Sequence, residues 1–512
     1  MSKSGPKTIK LAVNGLPLLP QPTNLPFDPL NYPNWLKYLI LLQASFLAFL
    51  ATLTVAIINP AVVPLAEEFD IAHVTATYQT TVAIGTGALG PLFFTPFANV
   101  YGRRPAYLLS ALIGFVSCLG SAIAKSFGVL VVARALNGFA CSAALGLGVG
   151  TVVDLFYSHQ RGKAMGFFTL MLTNGAHLAP IMGGYVAKAK GWRWCFWVAA
   201  ILNGIILAFI LLFMPETLFD RPKEDTSFDE QFTEEIVPEK SKEMSFSPYV
   251  PPPLSFRVYL QRLSFWDTHR PKTRRLHVTD FVLRPLSMLK YPSVLYPALC
   301  YGVIYGFASI EPALTLATLF TEIYHFDTVR NGLANGVTLL IGATLGELCS
   351  GPVTDAMMLQ ARKRALRDGK VVSPEIRLQG IWTGVVTVPV GLIMCVLRMS
   401  PLARASRIHF DANADVRNYP HDGLTIHFAT TFIAPCIGMA VACFGMQIVT
   451  FFRQIFGLTL GFYSIPFGEK VGFEWSFTVF ALICIISFVP IFLLMAYGER
   501  WRVASEEQEK NN

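Results

Sequence analysis

Apolar residues in this chain gather in blocks of about twenty, parted by short polar turns, and a block of that length crosses a hydrocarbon core of roughly 30 Å. The first six lie at 38–60, 76–98, 106–124, 129–156, 164–187 and 194–214. A long polar stretch follows, and further blocks lie at 293–320, 330–353, 378–398, 425–450, 451–467 and 474–497. In lipid every backbone amide must be bonded within its own segment, so these blocks predict helices. The short alternating strands of an outer-membrane barrel are absent. The expected fold is an all-α polytopic membrane protein of two six-helix lobes, about twelve spans in all, with a polar cavity shared between the lobes near mid-membrane. The boundaries read as an N-terminal tail over 1–37, a first lobe over 38–218, a central loop over 219–290, a second lobe over 291–498 and a tail over 499–512.

Composition narrows the class. Of 512 residues, 53% are apolar and 14% charged, with a mean hydropathy of +0.48. Soluble domains carry about 25% charged residues, and so few charges cannot cover a water-soluble globule of this size. The net charge of +8 sits in loops between the blocks, where topology uses it, and does not point to nucleic acid. Lys and Arg in short loops set orientation. Lys3, Lys7, Lys10, Lys37, Arg103, Arg104, Arg161, Lys163 and the run Arg362–Arg367 all fall on one side, which is therefore cytoplasmic. Glu67, Glu68 and Asp70 after the first span suit the outside. Two outside loops run against the rule, one with Lys188, Lys190 and Arg193, the other with Arg398, Arg404, Arg407 and Arg417. The nine cysteines are scattered without a CxxC pair and read as packing residues.

The central loop divides in two. Residues 220–243 are mostly acidic and predict disorder, whereas 257–290 are mostly basic, with Phe256, Leu260, Phe265, Phe281 and Leu283 interleaved. The basic part is either a segment lying on anionic lipid or a plain solvated linker.

Several positions carry chemistry. Thr95–Pro105 joins spans 2 and 3: Gly102 permits a tight reversal, and Arg103 and Arg104 suit helix C-terminal carbonyls or acidic partners. The pair is either a gating clasp or a positive-inside stop. Arg134, three residues before Asn137, lies in span 4, where a cation must face a cavity or a partner or else snorkel from a helix end. Asp154 and Arg161 flank the turn into span 5 and suit a structural inter-helix salt bridge. In span 5, Gly175, His177, Pro180, Gly183 and Gly184 combine a missing backbone donor with close-packing positions. His177 is either a titrating group near neutral pH or a hydrogen-bonded interface histidine. Glu311, about midway along span 7, is either a proton or cation site or a paired carboxylate. Gly351 and Asp355 at the end of span 8 echo the span 2/3 turn, as a repeated half requires. No phosphate-binding loop, metal-ligand spacing or nucleophile elbow is present, so neither ATP-driven pumping nor enzymatic activity is expected, and no cofactor or metal is called for.

These motifs together resemble the major facilitator superfamily, in the form used by fungal drug:proton antiporter-like proteins (DHA1-like) and most like the Hol1-type branch, over roughly 38–500. The span 2/3 segment is similar to the family's cytoplasmic loop motif, with Asn99 where the usual carboxylate stands. Arg134-Ala-Leu-Asn137-Gly138 resembles the RxxxG motif, and the resemblance links its Arg to proton coupling. Gly175–Gly184 resembles the antiporter motif GxxxGPxxGG, with Ala179 where Gly is usual. The resemblance implies proton-coupled secondary transport of small organic molecules by alternating access. Efflux is the first expectation; uptake of amines or other cations such as polyamines is the alternative, and a non-transporting sensor or degenerate transporter the rival from another class. Arg134, Glu311 and His177 are the expected coupling residues. Asn59, Gln79, Asn137, Asn174, Glu311 and Gln447 are the expected substrate contacts. The gate is assigned to Asn99, Gly102, Arg103, Arg104, Asp154, Arg161, Gly351 and Asp355. The expected partners are the bilayer, a small-molecule substrate and protons, for a monomer in the plasma membrane.

One stretch departs from the family. Spans 10 and 11 should be parted by a cytoplasmic loop, yet Thr450 runs directly into Phe451, and 428–467 is mostly apolar with no turn. Span 11 is therefore expected to be truncated.

Overall fold

The computed structural model describes residues 8–11, 18, 20–219, 245–249, 252, 255–263, 279, 281, 287–290, 292–310, 326–337, 339–342, 344, 345, 360, 456, 459, 460, 462, 463, 466–468, 470, 471 and 473–511. Among them six helices are long and apolar enough to cross a membrane. Span 1 is α1 (Asn34–Ala56), a 3-10 turn at Asn59–Ala61 and α2 (Val62–Phe69). Span 2 is α3 (His73–Gly87) followed by α4 (Leu89–Tyr101), and span 3 is α5 (Arg103–Ala122). Span 4 is α6 (Phe127–Cys141) followed by α7 (Ala143–Leu155). Span 5 is α8 (Ser158–Lys190), 33 residues long, and span 6 is α9 (Arg193–Phe213).

The breaks within spans have local causes. Pro60 and Pro91 carry no N–H, so the carbonyls four residues earlier, Ala56 and Gly87, lose their helical donor. Both prolines stand just beyond a helix end. In span 4 the Ser142 hydroxyl donates to Phe139 O at 3.0 Å, drawing off the backbone at the junction of α6 and α7. The breaks of spans 2 and 4 face one another: a side chain at Gly90 would collide with Ser142 and with the Phe139 carbonyl.

The core of this lobe is apolar, with Leu36, Ile40, Leu47, Phe94, Tyr107 and Phe168 all buried together. The outer faces of α5, α6 and α9 leave Val116, Val132, Leu136, Ile201, Ile205 and Phe209 exposed, as lipid contact requires. Two of the basic residues that ran against the orientation rule are paired where they stand. Arg193 pairs with Glu68 and stacks over Trp192, while Lys188 pairs with Asp327 at 2.5 Å.

The described part of the second lobe begins with α11 (Pro292–Tyr305), preceded by the short α10 (Phe256–Arg262) of the central loop, and ends with α12 (Phe473–Asn511). A π turn at Gly306–Ile310 prolongs α11. Phe307 stacks on Phe480 at 4.5 Å and meets Phe456 edge-on at 5.2 Å. Phe462 meets Tyr78 of α3 at 5.3 Å. Of the stretch after 451, Phe462 thus packs on span 2 and Phe456 on span 7. The 450/451 junction itself lies outside the described residues.

Two features depart from the sequence expectation. Residues 8–11 and 245–248 form β1 (Thr8–Leu11) and β2 (Ser245–Pro248), a parallel pair and the only strands among the described residues. At 255–263 the basic half of the central loop forms α10, which packs on the lobe through Arg262, 1% exposed, while Arg257, Leu260 and Gln261 stay exposed. The acidic half lies outside the described residues.

Candidate functional site

Arg134 of α6 occupies the polar heart of the first lobe and is 1% exposed. Its Nε donates to Gln79 Oε1 at 2.8 Å, its Nη1 to Thr54 O at 2.7 Å and its Nη2 to Val55 O at 2.8 Å. Thr54 and Val55 stand in the last turn of α1, whose carbonyls have no intrahelical donors because the helix stops at Ala56. The guanidinium therefore caps a helix C-terminus, where the macrodipole favours a cation. It also lies 5.4 Å from the Phe196 ring centroid. Among the described residues no carboxylate pairs with it; its acceptors are an amide and two carbonyls.

The network spreads from there. Asn137 accepts from Arg134 at 3.5 Å and donates to Ser117, Cys118 and Cys141. Gln79 donates to Thr80 at 2.7 Å, and Thr80 to Asn59 at 3.5 Å. The structure thus brings Arg134, Asn137, Gln79 and Asn59 into one connected cluster. Buried polar groups at this depth are costly unless each is satisfied, so the cluster is held rigid.

Span 5 is wedged between two neighbours. On one side a side chain at Gly175 or Gly183 would collide with the carbonyls of Phe49 and Ile57 in span 1. On the other, Gly184 packs against Thr328 O and the Gly332 Cα, and Gly332 packs back on Pro180 O. Asn174 and Thr344 exchange hydrogen bonds at 3.3 and 3.4 Å. His177 is 2% exposed, and its carbonyl faces Gly336. The two lobes therefore meet along this seam, and the Lys188–Asp327 pair sits at its outer end. Lys188, by hydrogen bond and charge, holds the Asp327 carboxyl below the ordinary carboxylate range.

At the turn between spans 2 and 3 Gly102 takes φ +105°, open in practice to glycine alone. Arg103 pairs with Asp154 at 3.1 Å. Arg161 instead donates to the Phe156 and Val153 carbonyls that end α7. Arg104 donates to Leu211 O at 2.8 Å and to Leu263 O. Glu216, just past α9, completes the turn: Oε1 accepts from the N–H groups of Arg103 at 2.8 Å, Thr217 at 3.0 Å and Leu218 at 2.9 Å, and Oε2 from that of Arg104 at 3.3 Å. Sequence reading left Glu216 without a role. Its only signal was the Pro-Glu-Thr step closing span 6, and nothing in the chain announces a contact 113 residues away. Asn99 is half-buried near the end of α4 and holds no charge. Glu311, Gln447, Gly351 and Asp355 lie outside the described residues.

Comparison with known proteins accords with this architecture. Efflux pump radE of Floropilus chiversii is 26% identical, covering 93% of this chain and 83% of its own length. Polyamine transporter 4 of Saccharomyces cerevisiae is 25% identical, covering 94% and 72%. The crystal structure of the human organic anion transporter MFSD10 (TETRAN) superposes with a TM-score of 0.56 at 15% identity, covering 90% of this chain and all of that one, a likeness of fold. The family described as Major Facilitator Superfamily matches residues 44–367. With its helical lobe, a broken polar span 4 around Arg134 and a glycine-lined seam to a second bundle, the chain belongs to the Major Facilitator Superfamily and is a secondary transporter of that type.

Proposed function

We propose that this transporter is proton-coupled and exports small organic compounds, with Arg134 poised to exchange its neutral partners for a carboxylate, for which Glu311 is the candidate. The observation that carries this is the burial of a guanidinium on neutral acceptors alone among the described residues. A cation so placed raises the affinity of the cavity for a carboxylate and lowers it for a proton on that carboxylate, which is the electrostatic coupling an antiporter needs. His177, Asn59, Gln79, Asn137, Asn174 and Gln447 are assigned to the pathway as polar lining. The drug:proton antiporter-like reading is supported by the glycine spacing of span 5 and by a relative named as an efflux pump. Uptake of amines is the second reading, favoured by the polyamine transporter among the relatives and by the carboxylate of Glu311. Purified protein in vesicles decides between them. With an imposed proton gradient and a panel of lipophilic cations and polyamines, export predicts substrate movement against proton flow, abolished by an uncoupler and by Glu311→Gln. Movement of substrate and protons in the same direction selects uptake, and transport indifferent to the uncoupler removes proton coupling altogether.

A further inference from the structure

The N-terminal segment and the central loop lie far apart in sequence but are built together. Asp28 accepts from the N–H groups of Thr23 at 2.9 Å and Leu30 at 3.0 Å, folding residues 23–31 into a compact turn. The hydroxyl of Tyr249 lies 2.8 Å from Thr23 O and 2.9 Å from Asn31 Oδ1. Arg262 donates to Phe27 O and stacks over the Phe27 ring at 5.6 Å. The β1–β2 pair joins the same two segments a third time. Both then dock on the lobe. Glu216 N–H donates to Arg262 O at 2.9 Å, Tyr32 OH to Glu216 O at 3.1 Å and Tyr157 OH to Leu30 O at 3.2 Å. Leu263 O accepts from Arg104. Farther along, the Phe281 ring stacks on Phe93 of α4 at 5.7 Å.

Arginine is almost never fully buried unless it is paired, and ordering a loop has an entropic cost that these contacts must exceed. Each of these docking points, Phe93, Arg104, Tyr157 and Glu216, belongs to the first lobe. We propose that residues 20–33, Tyr249 and residues 255–263 close into one cytoplasmic clasp that is a constitutive part of the first lobe, pinned by Arg262 and holding the Gly102–Arg104 turn through Glu216 and Leu263. Along the chain, residues 282–291, between Phe281 and Pro292, then connect the clasp to the second lobe, a reach of at most about 35 Å. The clasp rides with its lobe through the transport cycle and presets the gating turn without help from the second lobe.

The test uses the full-length protein in intact cells. Thr8→Cys with Ser245→Cys places two thiols on neighbouring strands, about 4.8 Å apart. Thr328→Cys adds a reporter on the outer seam, labelled by a membrane-impermeant maleimide. A membrane-permeant thiol oxidant supplies the oxidising equivalents that the reducing cytosol withholds, and after brief treatment the disulfide is expected to form in nearly every chain. With it closed, the reporter should label within twofold of its reduced rate. Arg262→Ala should slow disulfide formation at least fivefold, and Arg262→Lys serves the same comparison if the alanine variant does not fold. Three outcomes overturn the clasp: no disulfide, a disulfide that stops reporter labelling, or a yield untouched by the Arg262 variants. A reporter that never labels in any variant speaks against alternating access instead, and the disulfide yield still decides the clasp.

Discussion

The Glu216 carboxylate accepts the backbone N–H of Arg103 at 2.8 Å and so caps the first turn of a helix that begins 113 residues earlier in the chain. Anions are stabilised at a helix N-terminus by the macrodipole and the unfilled N–H groups. Gly102 makes the arrangement possible, because a side chain there would overlap the carboxylate. The span 2/3 turn is thus completed by a residue just past span 6.

Removing that cap should destabilise the first lobe. Glu216→Ala leaves the N–H groups of Arg103, Arg104, Thr217 and Leu218 without this acceptor, and each buried orphan costs about 1–3 kcal/mol. Glu216→Gln keeps one oxygen and should fall between. Thermal unfolding in detergent should order the proteins wild type, Glu216→Gln, Glu216→Ala. Gly102→Ala should resemble the last of these, since it adds a backbone strain of about 1–3 kcal/mol to the overlap. Equal melting temperatures would remove the cap from the account.

Arg134→Lys keeps the charge and loses the geometry. A single ammonium cannot serve Gln79, Thr54 O and Val55 O in the planar arrangement that the guanidinium makes. The variant is expected to reach the membrane in normal amount and to transport at least tenfold more slowly. Arg134→Ala should also lower the melting temperature, because two α1 carbonyls lose their donor at depth. Transport at the wild-type rate in Arg134→Lys would show that charge alone suffices.

The two glycines of span 5 should part company on substitution. Gly183 faces the Ile57 carbonyl within the first lobe, and Gly184 faces Thr328 and Gly332 across the seam. Gly183→Ala should therefore lower the melting temperature. Gly184→Ala should leave it nearly unchanged and open the outer seam, seen as faster labelling of Thr328→Cys. Identical behaviour of the pair would mean that the seam is not a separate contact.

At the outer end, the Lys188–Asp327 pair should respond to acid. The carboxyl is held below its ordinary range when the pair is closed. The pair therefore favours the closed seam above about pH 4, the ordinary aspartate value, and this preference is lost as pH falls through the lowered one. Asp327→Asn should abolish that acid response and raise seam labelling at neutral pH by no more than a few-fold, because exposed ion pairs are weak. A large change at neutral pH would assign the pair a stronger role than its exposure allows.

The first six spans were legible in order and approximate position, because crossing lipid demands a length and an apolarity that few other structures share. The first span read as 38–60 extends to Phe69 only because Pro60 interrupts the helix without ending it. Arg134, Gly102 and the span 5 glycines were legible as well, since a cation at depth and a glycine beside a turn are anomalies in any apolar pattern. What they touch was not legible. The carbonyls that hold Arg134 belong to a helix eighty residues away, and backbone acceptors leave no trace in side-chain identity.

The chain by itself determined that this protein lies in a membrane as helices and which residues are out of place in lipid. These follow from local transfer free energies and need no neighbours. Only the tertiary structure decided that Glu216 closes the span 2/3 turn, that Asp154 takes Arg103 while Arg161 caps α7, and that Arg262 is buried on the N-terminal segment. Those pairings join residues far apart in sequence, and packing of the helices alone brings them within reach.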